Sequence, residues 1–177
     1  AAMIVTLILL GRLLEARGVA VTMTKSRERQ LVRNAERARI ANRAGADLMI
    51  RLHCDSGRGR GYALYYPDRP GRKQGVTGPP RAVIAESRRA AEAVHAGMRA
   101  VLAGRLRDGG VRTDRATRVG SRQGALTGSI YARVPVVTVE MLFLSSASDA
   151  AFIRSEAGQE RMAEALCEGV LRFLGTR

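Results

Sequence analysis

The stretch Arg37-Ala-Arg-Ile-Ala-Asn-Arg-Ala-Gly-Ala-Asp-Leu-Met-Ile-Arg-Leu-His53 decides the fold. Its first half continues a helical pattern that covers residues 27–44. One face of this predicted helix is apolar and consists of Leu31, Ala35, Ala38 and Ala41. A glycine at position 45 then ends the helix, and residues 47–53 form a short apolar strand that ends on a histidine. A helix followed within a few residues by an apolar strand is the unit from which α/β sheets are built.

Helices and strands alternate along the rest of the chain. Apolar or alternating runs predict strands at 19–24, 61–66 and 136–140, and helical spacing predicts helices at 3–17, 82–107 and 156–174. The helix at 3–17 is expected to be buried. The segment 67–80 holds four of the five prolines and is expected to form a loop that serves as a substrate flap or a regulatory lid. We expect one α/β domain over residues 1–177, with three layers, a mostly parallel or mixed sheet of about five or six strands, and helices on both faces.

The composition is that of a globular protein with an unusually basic surface. Of the 177 residues, 46% are hydrophobic and 26% are charged, and the formal net charge is +14 although Lys25 and Lys73 are the only lysines. This excess suits an anionic partner such as nucleic acid, acidic lipid or a polyanionic cell-wall polymer, but a bias towards arginine explains it about equally well. Aromatic residues make up 4% and tryptophan is absent, which counts against nucleic-acid binding. The apolar residues 3–10 are too few to span a bilayer, and two cysteines give no disulfide framework.

Two polar side chains stand at the carboxyl ends of predicted strands, where ligands collect in open α/β sheets. His53 ends one strand and Glu140 ends another, so the two form either a metal ligand with a general base or an acid–base pair. A lone histidine at a strand end is more often structural. Glu140 lies in a strongly apolar stretch, and burying its carboxylate without a partner would cost several kcal/mol. We therefore expect Glu140 either to pair with an arginine or to take part in chemistry.

Three stretches, in order, carry a resemblance to a known family. They are Val21-Thr-Met-Thr-Lys25, the stretch from Arg37 to His53 quoted above, and Val134-Pro-Val-Val-Thr-Val-Glu140. Together with the closing helix from Gly158 to Val170, they resemble the zinc-dependent N-acetylmuramoyl-L-alanine amidases of bacterial cell-wall turnover (amidase type 3). The resemblance covers nearly the whole chain, and the ordered set is far more specific than any single piece.

The resemblance implies a zinc-dependent hydrolase that cleaves the amide between N-acetylmuramic acid and L-alanine in peptidoglycan. It implies that His53 is a zinc ligand and that Glu140 is the catalytic carboxylate, which takes a proton from the attacking water and later protonates the leaving amine. It also implies a periplasmic, secreted or cell-wall location with peptidoglycan as the partner. Anionic cell-wall polymers would suit the basic surface, and neither nucleic-acid binding nor a membrane span is expected.

The sequence departs from the family pattern at positions that matter for zinc. The family has two further ligands, a histidine after its first strand and a glutamate just before its first helix, and we expect both, with that strand, to precede Ala1. His95 does not replace the histidine, since it lies in the middle of a predicted helix and is expected to be structural. Arg51 stands where the family usually has serine, and Asp55 where it usually has asparagine.

Two functions stay open on this reasoning. The chain is either an amidase shortened at its start or a catalytically inactive amidase-like module that binds peptidoglycan or regulates a partner. The presence of both His53 and Glu140 favours the enzyme. Because three protein ligands are the usual minimum for catalytic zinc, we expect little activity from these residues alone. Nucleic-acid binding rests only on the charge and is the weakest alternative.

Overall fold

Helices α1 (Ala2–Glu15) and α2 (Asn34–Arg43) precede the first strand in a computed structural model, which describes residues 2–25, 27 and 29–175. The elements that follow are β1 (Met49–Asp55), β2 (Tyr62–Tyr66), β3 (Gly71–Lys73), β4 (Val76–Gly78), α3 (Arg81–Leu102), β5 (Asp108–Thr113), a 3₁₀ turn (Asp114–Ala116), α4 (Arg118–Gln123), α5 (Thr127–Ile130), β6 (Val136–Phe143), α6 (Ala147–Arg154) and α7 (Glu156–Gly175). Among the described residues, no helix is both long enough and apolar enough to cross a membrane.

The main sheet is mixed and has the strand order β1-β6-β2-β5. Strand β6 runs parallel to β1 and antiparallel to β2, and β2 runs parallel to β5. The α/β class with a mixed sheet is therefore confirmed, although this sheet has four strands where we expected about five or six. Strands β3 and β4 form a separate antiparallel hairpin inside the segment 67–80, which we had expected to be an irregular loop.

Helices lie on both faces of this sheet. On one face α1, α3 and α7 bury the larger core. Its fully buried members include Leu64, Met98, Val139, Leu166 and Phe173. On the other face α2 and α5 bury a smaller cluster that contains Ala38, Ile130 and Val136. The apolar stripe predicted for the last helix, Met162, Leu166, Val170 and Phe173, is buried along its whole length.

The predicted strand at 19–24 is wrong, since these residues form no regular strand. Val19 and Val21 still pack against the larger core, so their apolar character serves burial. A groove of about 270 Å³ separates this segment from β1, which among the described residues pairs only with β6. No hydrogen-bonded ladder joins this segment to β1 in the described part of the chain.

Several helix boundaries also differ from the predictions. The helix predicted over 27–44 begins only at Asn34, Leu31 is 87% exposed, and position 28 lies outside the described residues. Helix α1 packs by one face only and exposes Ile8 on its other face, so it is not fully buried. Helix α3 ends at Leu102, because the next residue leaves the helical region and a left-handed Gly104 follows.

Candidate functional site

The parallel register of β1 and β6 places the two predicted site residues side by side. His53 lies opposite Glu140, and two positions earlier Arg51 lies opposite Thr138. Alternate residues of a strand point to the same face, so all four side chains share the face that α2 and α5 cover. Neither predicted residue is the last of its strand, since β1 continues to Asp55 and β6 to Phe143. The predicted pairing at the carboxyl end of the sheet nevertheless holds.

These four side chains line an open pocket of about 380 Å³. Its wall is completed by Asp55 at the end of β1, by Asn34, the first residue of α2, by Tyr65 of β2, and by the segments 116–119 and 126–127. Strands of the sheet therefore hold the reactive groups, and irregular segments and short helices form the rim. No sequence pattern predicts the roles of Asn34 and Thr138, although Thr138 stands two positions before Glu140 and so shares its face.

The carboxyl of Glu140 is placed for proton transfer. Burial and, to a smaller extent, the charge of Asp55 raise the pKa of Glu140 to about 7 against the opposing effect of Arg51. Its Oε2 atom is buried and has no hydrogen-bond partner among the described residues. A carboxyl with this pKa exists in both protonation states near neutral pH, which is what a group that first accepts and then returns a proton requires.

The imidazole of His53 is neutral at physiological pH. Burial and, to a smaller extent, the positive charges of Arg51 and Arg37 together lower the pKa of His53 to about 4. Its Nε2 atom is also buried without a hydrogen-bond partner in the described part of the chain. A neutral imidazole with a free ring nitrogen is the form that binds metal ions.

The third nearby acid does not complete a metal site. Asp55 turns its Oδ1 atom to its own loop, where it accepts hydrogen bonds from the backbone N–H groups of Ser56 and Gly57 at 2.6 and 3.0 Å. Within the described ranges, no group of three or more His, Cys, Asp or Glu side chains is placed to hold a metal ion. Catalytic zinc sites use three protein ligands, so the described residues do not fit a zinc site.

Arg51 does not form the ion pair with Glu140 that the sequence left open. Its Nη1 donates to the Thr138 hydroxyl at 3.0 Å and its Nη2 donates to the Asn34 side-chain oxygen at 3.1 Å. Burial lowers the pKa of Arg51 to about 10, which still leaves the guanidinium charged at neutral pH. The wall of the pocket therefore carries a fixed positive charge next to His53 and Glu140.

His95 lies outside this pocket. It stands on α3, where its Nε2 atom is 2.8 Å from the Asp108 carboxylate at the start of β5. Its ring also lies 6.2 Å, centroid to centroid, from the ring of Tyr62. The contact with Asp108 ties α3 to the edge strand of the sheet, which agrees with the structural role expected for this histidine.

Comparisons with known proteins identify the family. A family model described as N-acetylmuramoyl-L-alanine amidase matches residues 3–172. Among solved structures, the amidase Ami1 from Mycobacterium smegmatis is similar with a TM-score of 0.78 and 25% identity, over 98% of this chain and 75% of that chain. The amidase AmiC2 of Nostoc punctiforme gives a TM-score of 0.77 and 19% identity, over 98% of this chain and 83% of that chain.

The catalytic domain of CwlV, the amidase from Bacillus (Paenibacillus) polymyxa var. colistinus, gives a TM-score of 0.75 and 20% identity, over 99% of this chain and 83% of that chain. No curated protein sequence matches at the significance applied. The likenesses at 19% and 20% identity support the fold, whereas the family model spans almost every residue, including the two strands that carry His53 and Glu140. The chain therefore belongs to the N-acetylmuramoyl-L-alanine amidase family, whose members are peptidoglycan hydrolases.

Proposed function

We propose that this chain cleaves the amide between N-acetylmuramic acid and L-alanine of the stem peptide, with Glu140 as the catalytic carboxylate. One observation carries the proposal. Glu140 lines an open pocket, its buried Oε2 has no hydrogen-bond partner among the described residues, and its pKa is about 7. Membership of the amidase family supplies the type of bond, and this carboxyl supplies a group able to hydrolyse it.

The proton transfers follow from the state of this one carboxyl. In its ionised form Glu140 accepts a proton from a water molecule as the water oxygen attacks the carbonyl carbon of the amide. The proton then resides on the Glu140 carboxyl and passes to the amide nitrogen as the carbon–nitrogen bond breaks. The products are the free carboxyl of the lactyl group and the amine of L-alanine, and Glu140 returns to its ionised form.

His53 is the side chain we propose as a metal ligand, because its imidazole is neutral and its Nε2 is unpartnered. The family implies zinc, which would polarise the amide carbonyl and acidify the attacking water. The described residues offer fewer than three placed ligands, so they do not fit a complete zinc site. The proton transfers above are therefore assigned to Glu140 alone.

The proposed setting follows from the substrate. Peptidoglycan lies outside the cytoplasmic membrane, so we propose a periplasmic, secreted or wall-associated protein whose residues 1–177 form one catalytic domain. The net charge of +14 suits anionic wall polymers as neighbours of the substrate. We propose no nucleic-acid partner.

A second candidate function is a non-catalytic amidase-like module that binds peptidoglycan or regulates a partner. The observation that favours it is the shortage of metal ligands in the described residues. Both candidates predict binding to peptidoglycan, but only the enzyme predicts that binding is followed by release of peptide.

The experiment that separates the two candidates follows new L-alanine amino groups during incubation of purified peptidoglycan with the chain. It is run with zinc and with chelator, and on Glu140→Gln. Glu92→Gln, the same change at an exposed ion pair on α3, is the matched control. The enzyme predicts release that Glu140→Gln loses and Glu92→Gln keeps. Binding without release from any of the three proteins would support the module and contradict the enzyme.

A further inference from the structure

The pocket wall contains a charged group that the proposed mechanism does not use. The side chain of Arg51 is only 6% exposed, and its guanidinium lies on the same face of the sheet as His53 and Glu140. Removing a guanidinium from water costs several kcal/mol unless it is paired with a carboxylate. The guanidinium of Arg51 nevertheless lies buried in the pocket wall, despite this cost.

The partners of this guanidinium in the protein are neutral. Two N–H groups donate to the Thr138 hydroxyl and the Asn34 amide oxygen, and Nε–H is buried without any partner among the described residues. The charges of Asp114 and Glu140 lie near enough to favour the charged form of Arg51. Within residues 2–25, 27 and 29–175, however, no carboxylate oxygen lies within 4.0 Å of its guanidinium nitrogens. The positive charge of Arg51 is thus held in place by hydrogen bonds but is not neutralised by direct contact.

The fold also leaves space for the guanidinium at a particular glycine. A Cβ atom added to Gly128 of α5 would lie 2.7 Å from both Cζ and Nε of Arg51. The backbone of α5 therefore lies directly against the flat face of the guanidinium. Asn34, Thr138 and Gly128 come from three different elements and together fix the orientation of one charged group.

We propose that Arg51 is a specificity-determining residue that binds a free carboxylate of the stem peptide, on the acidic residue that follows L-alanine. The proposal rests on the function proposed above, and it deepens that function by naming a chemical feature of the substrate. A carboxylate is the ligand that a guanidinium binds best, because ionic hydrogen bonds between the two are short and strong. Arg118, at the exposed rim of the same pocket, adds a second positive charge.

Three carboxylates lie near this guanidinium or line its pocket, namely Asp55, Asp114 and Glu140, and Glu140 is already assigned to the proton transfers. Asp55 is engaged with the backbone N–H groups of its own turn. Asp114 is fully buried and accepts a hydrogen bond from the backbone N–H of Leu126 through Oδ2; its Oδ1 has no hydrogen-bond partner among the described residues, and its charge favours the charged form of Arg51 without direct contact. Arg51 therefore has no carboxylate in direct contact among the described residues, and a substrate carboxylate that reaches the pocket would supply one.

The test compares two small ligands that differ only at this group. The γ-methylamide of N-acetylmuramoyl-L-alanyl-D-glutamate carries the free α-carboxylate, and the γ-methylamide of N-acetylmuramoyl-L-alanyl-D-isoglutamine carries a carboxamide in its place, so that no second carboxylate can bind Arg51. Dissociation constants for both are measured by titration calorimetry on the chelator-treated chain, so the readout is independent of hydrolysis. We expect the carboxylate ligand to bind about 10-fold more tightly, the ratio that corresponds to one ionic hydrogen bond.

Three variants separate a binding role from a merely structural one. Arg51→Gln should reduce the ratio to about 1, and Gly128→Ala should reduce it without altering the net charge, because its methyl group displaces the guanidinium. Arg122→Gln, an exposed position outside the pocket, removes the same charge and should keep the full ratio. Circular dichroism and thermal unfolding show which variants are folded, and Gly128→Ala provides the test if Arg51→Gln does not fold.

A ratio near 1 in the unmodified chain would overturn the proposal, as would a preference that survives both Arg51→Gln and Gly128→Ala. Absence of binding by either ligand would overturn it as well. Hydrolysis of peptidoglycan with no preference for the carboxylate would remove this role of Arg51 and leave the proposed function intact. A preference without any hydrolysis would support the carboxylate site and contradict the enzyme.

Discussion

Replacing Glu140 by glutamine should remove hydrolysis and, at alkaline pH, stabilise the fold. The carboxyl is buried in the pocket wall, and its pKa lies at about 7 because ionising it there is unfavourable. Glutamine has nearly the same shape but cannot ionise or transfer a proton. We expect the rate of amide cleavage to fall by at least about 100-fold, the usual contribution of a general acid–base group.

The stability effect has a defined sign. Below the unfolded-state pKa, the carboxyl is protonated in both states, so ionisation makes no difference between the two proteins. As the pH rises from 4.5 through 7, the unfolded chain ionises first and the native protein loses stability. The rise in pKa corresponds to about 3 kcal/mol, which we reduce to about 1–2 kcal/mol because the carboxyl is partly exposed and screened.

The assay is urea unfolding of both proteins in chelator at about pH 4 and about pH 8, well on either side of the transition. We expect the stability of Glu140→Gln relative to the unmodified chain to increase by about 1–2 kcal/mol between the two pH values. Glu92→Gln, at an exposed ion pair on α3, should show a change within about 0.5 kcal/mol. A stability difference that does not depend on pH, or one that favours the carboxylate at pH 8, would refute the reasoning.

Three further predictions concern the scaffold and the metal. Gly97→Ala should lower the free energy of unfolding in urea by about 2 kcal/mol, because its Cβ would lie 2.4 Å from the backbone of Gly169. A Cβ at Gly11 in α1 would meet no atom closer than 3.9 Å, so Gly11→Ala should raise the free energy of unfolding by about 0.5–1 kcal/mol. Equal effects of the two substitutions would contradict this packing. Asp149→Ala should lower the free energy of unfolding by about 2–4 kcal/mol in the same assay, since the buried carboxylate accepts hydrogen bonds from the backbone N–H groups of Gly61 at 2.6 Å and Phe143 at 3.1 Å. A loss below about 0.5 kcal/mol would show that these bonds are unimportant. After dialysis against chelator and then buffer with trace zinc, elemental analysis should find well below about one zinc per chain and an unchanged melting temperature, and stoichiometric zinc would show that a ligand set has been missed.

The sequence predicted the strands that carry the site because their signals are local. The apolar runs that became β1, β2 and β6, and the stripe of α7, are each buried where the patterns indicated. His53 and Glu140 were predicted as site residues because each ends a predicted strand, and because Glu140 also lies in a strongly apolar stretch. The register that sets them side by side depends on long-range pairing, which periodicity does not encode.

The errors have physical causes. The sequence Asp108-Gly-Gly at the start of β5 predicts a turn and not a strand. In the structure Gly109 lies against β2, so closely that a Cβ atom on Gly109 would be 2.6 Å from the carbonyl oxygen of Tyr62. Proximity to β2 therefore creates this strand, not local propensity. The segment 19–24 shows the opposite error. Its alternating apolar residues predict a strand, but it forms no ladder with a neighbouring strand among the described residues.

The burial of Arg51 was equally hidden from the sequence. Arginine is normally a surface residue, and nothing adjacent to position 51 indicates a cavity for it. The space is created by Gly128, and the hydrogen bonds come from Asn34 and Thr138, all distant in sequence. Only the assembled fold brings these groups together, which is why the sequence marked Arg51 as a departure from the family pattern without a role.

The most direct test of the central claim is to identify, by mass spectrometry, the products released from purified peptidoglycan by this chain and by Glu140→Gln. We expect free peptides that begin with L-alanine, together with glycan strands whose lactyl carboxyls are unsubstituted. Because the described residues lack a three-ligand metal site, the rate is expected to be low, but it should exceed that of Glu140→Gln by at least about 100-fold. Cleavage within the glycan or inside the peptide, or equal release by the two proteins, would contradict the account.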